Sequence, residues 1–274
     1  MTNPLYPAFF RLDRLQLLVV GAGEVGEEKL SFILKSSPNA RVVIVAPWMG
    51  EELKALLDKY DQAARTRVQG KVEEAGFGGE SLVAARFAKE IPAGEWSTVS
   101  GGTVIWYDRE FRASDVEIAD LVVAATNFKD INHGVWSAAK AARRLANIAD
   151  TPSLCDFYLG SIVTRGPLKI AISTNGQSPT FAKRFRQFLE AELPELETTS
   201  LLDNLKLFRD RLTGDFQAKV RQLNAVTSGL LSSTNAEAGC RCPPGECLVE
   251  AAGREQPGPD LSVSPATPPP IKSK

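Results

Sequence analysis

The feature that most constrains this chain is a short apolar run that ends in glycines. Leu15-Gln-Leu-Leu-Val-Val20 finishes on β-branched residues and passes straight into Gly21-Ala-Gly-Glu-Val-Gly26. Residues 24–37 then read as a helix, stopped by Pro38-Asn39. A glycine turn between a strand and a helix has a definite mechanical sense. Gly21 permits the tight turn, Gly23 lets a pyrophosphate approach the backbone, and Gly26 lets the helix pack close to the strand. The first-turn amides of Glu24, Val25 and Gly26 offer donors to the phosphates. These residues point to dinucleotide binding; a glycine turn without a ligand is the plainer alternative.

The first half of the chain repeats the rhythm of strand and helix. Arg41-Val-Val-Ile-Val-Ala46, Thr103-Val-Ile-Trp-Tyr107, Leu121-Val-Val-Ala-Ala125 and Leu145-Ala-Asn-Ile-Ala149 are further apolar runs. Leu53, Leu56, Leu57 and Tyr60 fall at helical spacing, and 131–144 is also helical. Strands that are apolar on both faces and alternate with helices predict an α/β fold, a Rossmann-like doubly wound parallel sheet. Residues 62–102 interrupt the rhythm and read as an insertion. The second strand ends in Val45-Ala46-Pro47-Trp48, with no carboxylate until Glu51 and no arginine for a 2′-phosphate. Backbone groups around Pro47 and Trp48 are therefore expected to meet the adenosine ribose. NAD is expected over NADP.

The second half reads differently. Leu168-Lys-Ile-Ala-Ile-Ser173 is a strand, and Ser178-Pro179 opens a helix with serine as its cap and proline in its first turn. Phe181, Phe185, Phe188 and Leu189 share one face of that helix. Residues 195–231 read as one or two further helices, broken near Gly214. From Asn235 onward Gly, Pro, Ser and Ala dominate and aromatic residues are absent, so 236–274 is expected to be a disordered tail. Cys240, Cys242 and Cys247 lie there as exposed thiols, without the spacing of a structural zinc site.

Composition excludes several classes. A net charge of -1 gives no global field for nucleic acid or an anionic membrane. No apolar run reaches the roughly 20 residues needed to span a bilayer. The opening Met-Thr-Asn-Pro-Leu-Tyr-Pro lacks the pattern of a secretory signal, so a cytoplasmic location is expected. His133 is the single histidine, which argues against a histidine triad or a multi-histidine metal site. No metal-binding residues are assigned.

With those residues laid out, the chain resembles the precorrin-2 dehydrogenase / sirohydrochlorin ferrochelatase family, which also forms the N-terminal module of fused siroheme synthases. Leu5-Tyr-Pro-Ala-Phe-Phe-Arg-Leu12, the glycine loop, Val45-Ala46-Pro47, Leu121-Val-Val-Ala-Ala-Thr-Asn127 and Asn147-Ile-Ala-Asp150 follow in the family's order. Leu154-Cys-Asp-Phe-Tyr158 and Ile172-Ser-Thr-Asn-Gly-Gln-Ser-Pro179 complete the set, which is closest to the stand-alone bifunctional members. The resemblance covers 3–193 apart from the insertion. It implies NAD-dependent oxidation of precorrin-2 to sirohydrochlorin. In many members ferrous iron is then inserted as a substrate to give siroheme. It also implies a homodimer.

The domains expected on this basis are an NAD-binding domain over 1–150, a dimerisation region over 151–193, a helical domain over 194–235 and the tail. The cofactor-binding set is Gly21, Gly23, Glu24, Val25, Gly26, Pro47, Trp48 and Thr126. Thr174, Asn175, Gly176 and Ser178 are expected to shape the tetrapyrrole cleft. Asp150 can serve as a base in both reactions. Its position alone equally allows a cap on the Thr151-Pro152 turn, and the resemblance favours the base. Asp156 reads as a structural hydrogen-bond acceptor and Cys155 as a small packing residue. Arg165, Lys169, Lys183, Arg184 and Arg186 could form a basic wall for a polycarboxylate or a solvated helix face. Two rival readings are a dehydrogenase without chelation and a regulatory NAD-sensing module.

Overall fold

The computed structural model describes residues 3–68 and 90–228. The chain forms two compact units, one ending at Leu202 and the other beginning at Asp203. The first is built on a six-stranded sheet. Its strands are β1 (Gln16–Val20), β2 (Arg41–Val45), β3 (Gly94–Ser97), β4 (Thr103–Tyr107), β5 (Leu121–Ala124) and β6 (Leu145–Ile148), in the order β3-β4-β2-β1-β5-β6. All neighbours are parallel except β3, which runs antiparallel to β4 at the edge. This is the doubly wound architecture that the alternating pattern predicts.

Helices cover both faces, which is why the strands are apolar throughout. In β1, Leu17 and Val19 join a core with Leu30 and Leu34 of α1 (Glu24–Ser36) and Leu53 and Leu57 of α2 (Glu51–Val68). Leu18 and Val20 join the opposite core, with Val135 and Ala139 of α3 (Lys129–Ala141) and Val116 and Ile118 of a 3-10 turn. The period-two alternation of strand side chains thus feeds two cores from one five-residue segment. Each such aliphatic side chain contributes about 1.5–3 kcal/mol on burial. Among the described residues, no helix is long and apolar enough to cross a membrane.

The expected insertion over 62–102 is narrower at both described ends. Helix α2 continues through Val68, and Gly94–Ser97, read as part of the insertion, is strand β3. A four-residue edge strand with Gly94 at its start has too little apolar alternation to be read from sequence. The return to the sheet is held by charge. Arg109 pairs with Glu90 at 2.6 Å and with the buried Asp115 at 2.8 Å. Burial opposes the Arg109 charge, but the hydrogen bonds it donates to both carboxylates win and hold its guanidinium above the ordinary value.

Beyond β6, β7 (Ser161–Arg165) and β8 (Leu168–Ile172) form a separate antiparallel hairpin, and α4 (Pro179–Glu192) packs on β7. The Ser178 cap forms as expected: its Oγ accepts from the Phe181 N–H at 3.2 Å. Arg165 donates to the carbonyls of Leu193 and Glu190 at the end of α4. Lys169 donates to the carbonyl of Ser36 at the end of α1. Helix α5 (Glu195–Arg211) passes into the second unit, where Gly214 turns the chain and Asp215 caps α6 (Phe216–Thr227). The break near Gly214 is therefore where the sequence places it. The expected tail over 236–274 lies outside the described residues.

Two glycines in helices predict opposite outcomes. A Cβ on Gly26 would stand 2.4 Å from the Gly21 carbonyl oxygen, whereas one on Gly134 meets nothing within 4 Å. In urea unfolding, Gly26→Ala is expected to lose about 1–3 kcal/mol or more. Gly134→Ala, which only restricts the unfolded chain and favours the helix, is expected to gain about 0.5–1 kcal/mol.

Candidate active site

The parallel strands deliver their carboxyl ends to one edge of the sheet. Strand order reverses at β1: the chain moves outward through β2 and β4, then returns past β1 to β5 and β6. A crevice at such a switch point is the usual ligand site of this architecture. Its floor is the loop Gly21–Gly26. Gly21 has φ 103°, and a Cβ there would stand 2.5 Å from the Ala125 carbonyl oxygen. Only glycine fits both the dihedral and the contact. Gly23 sits at the start of α1 with no side-chain cap, which leaves the first-turn amides to an outside acceptor. Glu24 is exposed, so its fitting contribution to an anionic ligand is its backbone N–H rather than its carboxylate.

The end of β2 forms the neighbouring wall. Trp48 is 61% exposed, and its ring edge lies 3.3 Å from the point where a Cβ on Gly23 would stand. The Gly50 N–H donates to the Ala22 carbonyl at 2.9 Å, tying this wall to the glycine loop. Trp106 Nε1 donates to the Ala46 carbonyl at 2.9 Å and supports the chain just before Pro47. These partners form a bare-backbone cradle beside an exposed aromatic plane. Bare backbone beside a flat aromatic wall is the kind of surface that the phosphates and adenosine of a dinucleotide need.

Thr126 lies just past the end of β5, on the other side of β1. Its turn depends on Asn132, which sequence reasoning did not single out. Asn132 Oδ1 accepts from Thr126 Oγ1 at 2.7 Å and from the Thr126 N–H at 3.2 Å, and its Nδ2 donates to the Thr126 carbonyl at 2.8 Å. Asn132 is buried in the first turn of α3. Its one sequence signal is a polar residue at an inward position of an amphipathic helix.

Asp150 stands at the carboxyl end of β6, two strands from β1, or roughly 10 Å by ordinary sheet spacing. It is exposed and held at φ 57°, a left-handed conformation that aspartate tolerates better than most residues. The turn after it closes without its carboxylate. The Thr151 N–H donates to Ile148 O at 3.3 Å, Thr151 Oγ1 donates to Ala149 O at 3.3 Å, and the Leu154 N–H donates to Thr151 O at 3.0 Å.

The following segment is clamped back onto β6. Asn147 Nδ2 donates to the Phe157 carbonyl at 2.8 Å, and the Ile148 N–H reaches Cys155 Sγ at 3.2 Å. Asp156 accepts from the Ala146 N–H at 2.8 Å and pairs with Lys140. Asp156 is thus structural, as its reading anticipates. Burial pushes the Cys155 thiol above its ordinary value, which suits packing rather than thiolate chemistry. Asn147, Cys155 and Asp156 hold the base of the reversal whose apex presents Asp150.

The expected substrate loop lies elsewhere, after β8 in the hairpin sheet. Thr174 Oγ1 accepts from the Ser178 N–H at 3.1 Å, and Asn175 and Gly176 adopt φ 53° and 76°. Its described hydrogen bonds are local. The basic wall is largely consumed. Arg165 and Lys169 cap helices, and Arg186 pairs with Glu190 at 2.7 Å. Lys183 and Arg184 remain exposed. His133 is exposed and packs its ring 5.2 Å from that of Trp136.

The Asn132 clamp carries its own prediction. Asn132→Ala leaves the half-buried Thr126 amide without its partner and is expected to lower unfolding stability by about 1–3 kcal/mol. Asn127→Ala, on an exposed side chain of the same turn, is expected to stay within about 0.5 kcal/mol. Paired denaturant titrations check both.

Comparison with known proteins agrees with this geometry. The family described as "Putative NAD(P)-binding" matches residues 8–161, and the "Sirohaem biosynthesis protein central" family matches 165–192. Siroheme synthase 1 of Aeromonas salmonicida is 31% identical over 189 residues, 69% of this chain and 31% of that protein. The siroheme synthase of Mannheimia succiniciproducens is 27% identical over 223 residues, 81% of this chain and 36% of that protein. The chain thus spans about a third of the length of these curated relatives. The solved structure titled "SirC, precorrin-2 dehydrogenase" superposes with a TM-score of 0.54 at 20% identity, covering 85% of this chain and 95% of that one, a likeness of fold. By the match over more than half of its length, the chain belongs to the family described as putative NAD(P)-binding, and the sirohaem biosynthesis central match and the relatives make it similar to one part of the siroheme synthases.

Proposed function

We propose that this protein oxidises precorrin-2 to sirohydrochlorin with NAD and then inserts ferrous iron at the same cleft. One observation carries the reading: an uncommitted carboxylate, Asp150, stands on the same sheet edge as a glycine cradle, in a chain similar to one part of the siroheme synthases. Bound NAD supplies a hydride acceptor. The chain's own residues do the rest. Gly21, Gly23 and Gly26 admit the pyrophosphate, the amides of Glu24 and Val25 donate to it, and Trp48 backs the adenosine. Thr126, fixed by Asn132, borders the cofactor on the β5 side.

Asp150 takes the proton that leaves as the macrocycle is oxidised, and its exposure lets it pass that proton to solvent. In iron insertion the same carboxylate receives the pyrrole protons, while the macrocycle's nitrogens become the ligands of the metal. Iron is substrate here. Among the described residues no group of three or more His, Cys, Asp or Glu side chains could hold a metal ion, and none is required. The loop Thr174–Ser178 and the exposed Lys183 and Arg184 form the tetrapyrrole's wall. In a homodimer, a partner's loop can face this chain's cofactor edge. The exposed ladder of Phe181, Phe185 and Phe188, stacked at 5.8 and 6.3 Å, supports such pairing.

The test is Asp150→Asn, assayed by NADH formation with precorrin-2. Turnover is expected to fall by about 10²–10⁴-fold, with NADH affinity kept within about twofold. Undiminished turnover by the folded variant would remove Asp150 from the mechanism. Ferrous iron added to sirohydrochlorin then reads the second step by absorbance. A rate equal to the protein-free rate would leave a dehydrogenase alone.

A further inference from the structure

The adenosine end of the site departs from the usual arrangement of this fold. There, an acidic residue at the end of the second strand accepts the ribose 2′-hydroxyl and excludes a 2′-phosphate. Here β2 runs into Ala46, Pro47 and Trp48. The indole occupies the place: its edge lies 3.3 Å from the Cβ point of Gly23 and 3.8 Å from that of Gly50. A carboxylate nevertheless stands close by. Glu52 Oε2 lies 3.9 Å from the Cβ point of Gly50. Gly50 in turn is bound through its N–H to Ala22 of the glycine loop at 2.9 Å.

We infer that Glu52, reaching from the first turn of α2, replaces the missing strand-end acid and selects NAD over NADP; this rests on the cofactor reading above. The sequence offset conceals the replacement, because Glu52 lies seven residues past the end of β2 rather than at it. The fold cancels the offset by turning the chain at Gly50 and tying that turn to the glycine loop. Helix geometry also separates Glu52 from its neighbours. Leu53 points into the core and is fully buried, while Glu52 is exposed with its carboxylate next to Gly50. A carboxylate there accepts a hydrogen bond from a ribose hydroxyl. A phosphate monoester at the same point would bring close to two further negative charges against it. Trp48 supplies a plane for the base and no charge of either sign, so the discrimination falls to Glu52.

Equilibrium binding of NADH and NADPH to the purified full chain, followed by nucleotide fluorescence, tests this. The unaltered protein is expected to bind NADH roughly tenfold or more tightly than NADPH. Glu52→Gln keeps the shape and removes the charge; the two affinities are then expected to come within about threefold of each other. Glu51→Gln, the neighbouring acid, is expected to leave the original ratio in place. NADPH binding as tight as NADH in the unaltered protein overturns the inference. So does an unchanged ratio in Glu52→Gln, or an equal effect from Glu51→Gln, and in those cases the dinucleotide site itself still stands. Failure of the folded protein to bind either nucleotide removes both readings together.

Discussion

The close backbone approach at Gly21 and Gly26 is the contact on which the rest of the structure depends. Gly26 seats α1 against the turn that leaves β1, and Gly21 brings that turn against the end of β5. With these contacts, α1 lies low enough for Leu30 and Leu34 to reach the β1 core. The same contacts bare a row of backbone donors at the center of the sheet edge. A side chain at Gly26 would push the helix off the turn, and one at Gly21 would push the turn off the end of β5.

A parallel sheet turns sequence distance into spatial proximity. The loop at 21–26, the wall at 47–48, the Thr126 turn and Asp150 are far apart in the chain. Yet they sit side by side because β1, β2, β5 and β6 all end at one edge. Each strand end is then fixed by a polar residue from a neighbouring segment. Asn132 sets the Thr126 turn, Trp106 supports the approach to Pro47, and Asn147 with Asp156 sets the reversal at Asp150. Pro47, Trp48 and Asp150 stand exposed and Thr126 half-buried, and Asn132, Trp106 and Asn147, which hold them, are buried or half-buried.

How much was legible in the sequence follows from the range of the forces involved. The strands of the sheet and helices α1, α3 and α4 come from local signals: apolar runs, glycine and proline stops, and the Ser178-Pro179 cap. These patterns act over a few residues and survive in a linear reading. Strand β3 does not, because a four-residue edge strand is made by its pairing with β4 rather than by its own apolar pattern. The cations show the same limit. Arg165, Lys169 and Arg186 look alike in sequence, but carbonyls at helix ends and Glu190 claim them in the fold. That leaves Lys183 and Arg184 exposed.

Asp150 shows the division most sharply. By its spacing it is equally a base or a turn cap. In the fold, Thr151 and the backbone close the turn and the Asp150 carboxylate is left facing solvent. What the sequence determined by itself was the doubly wound sheet and its glycine cradle, because hydrophobic periodicity and glycine's lack of a side chain are local properties. Only the tertiary structure decided which polar groups are occupied and which are exposed, because hydrogen-bond partners come from residues distant in the chain and each donor or acceptor is satisfied by whichever group the packing brings within reach.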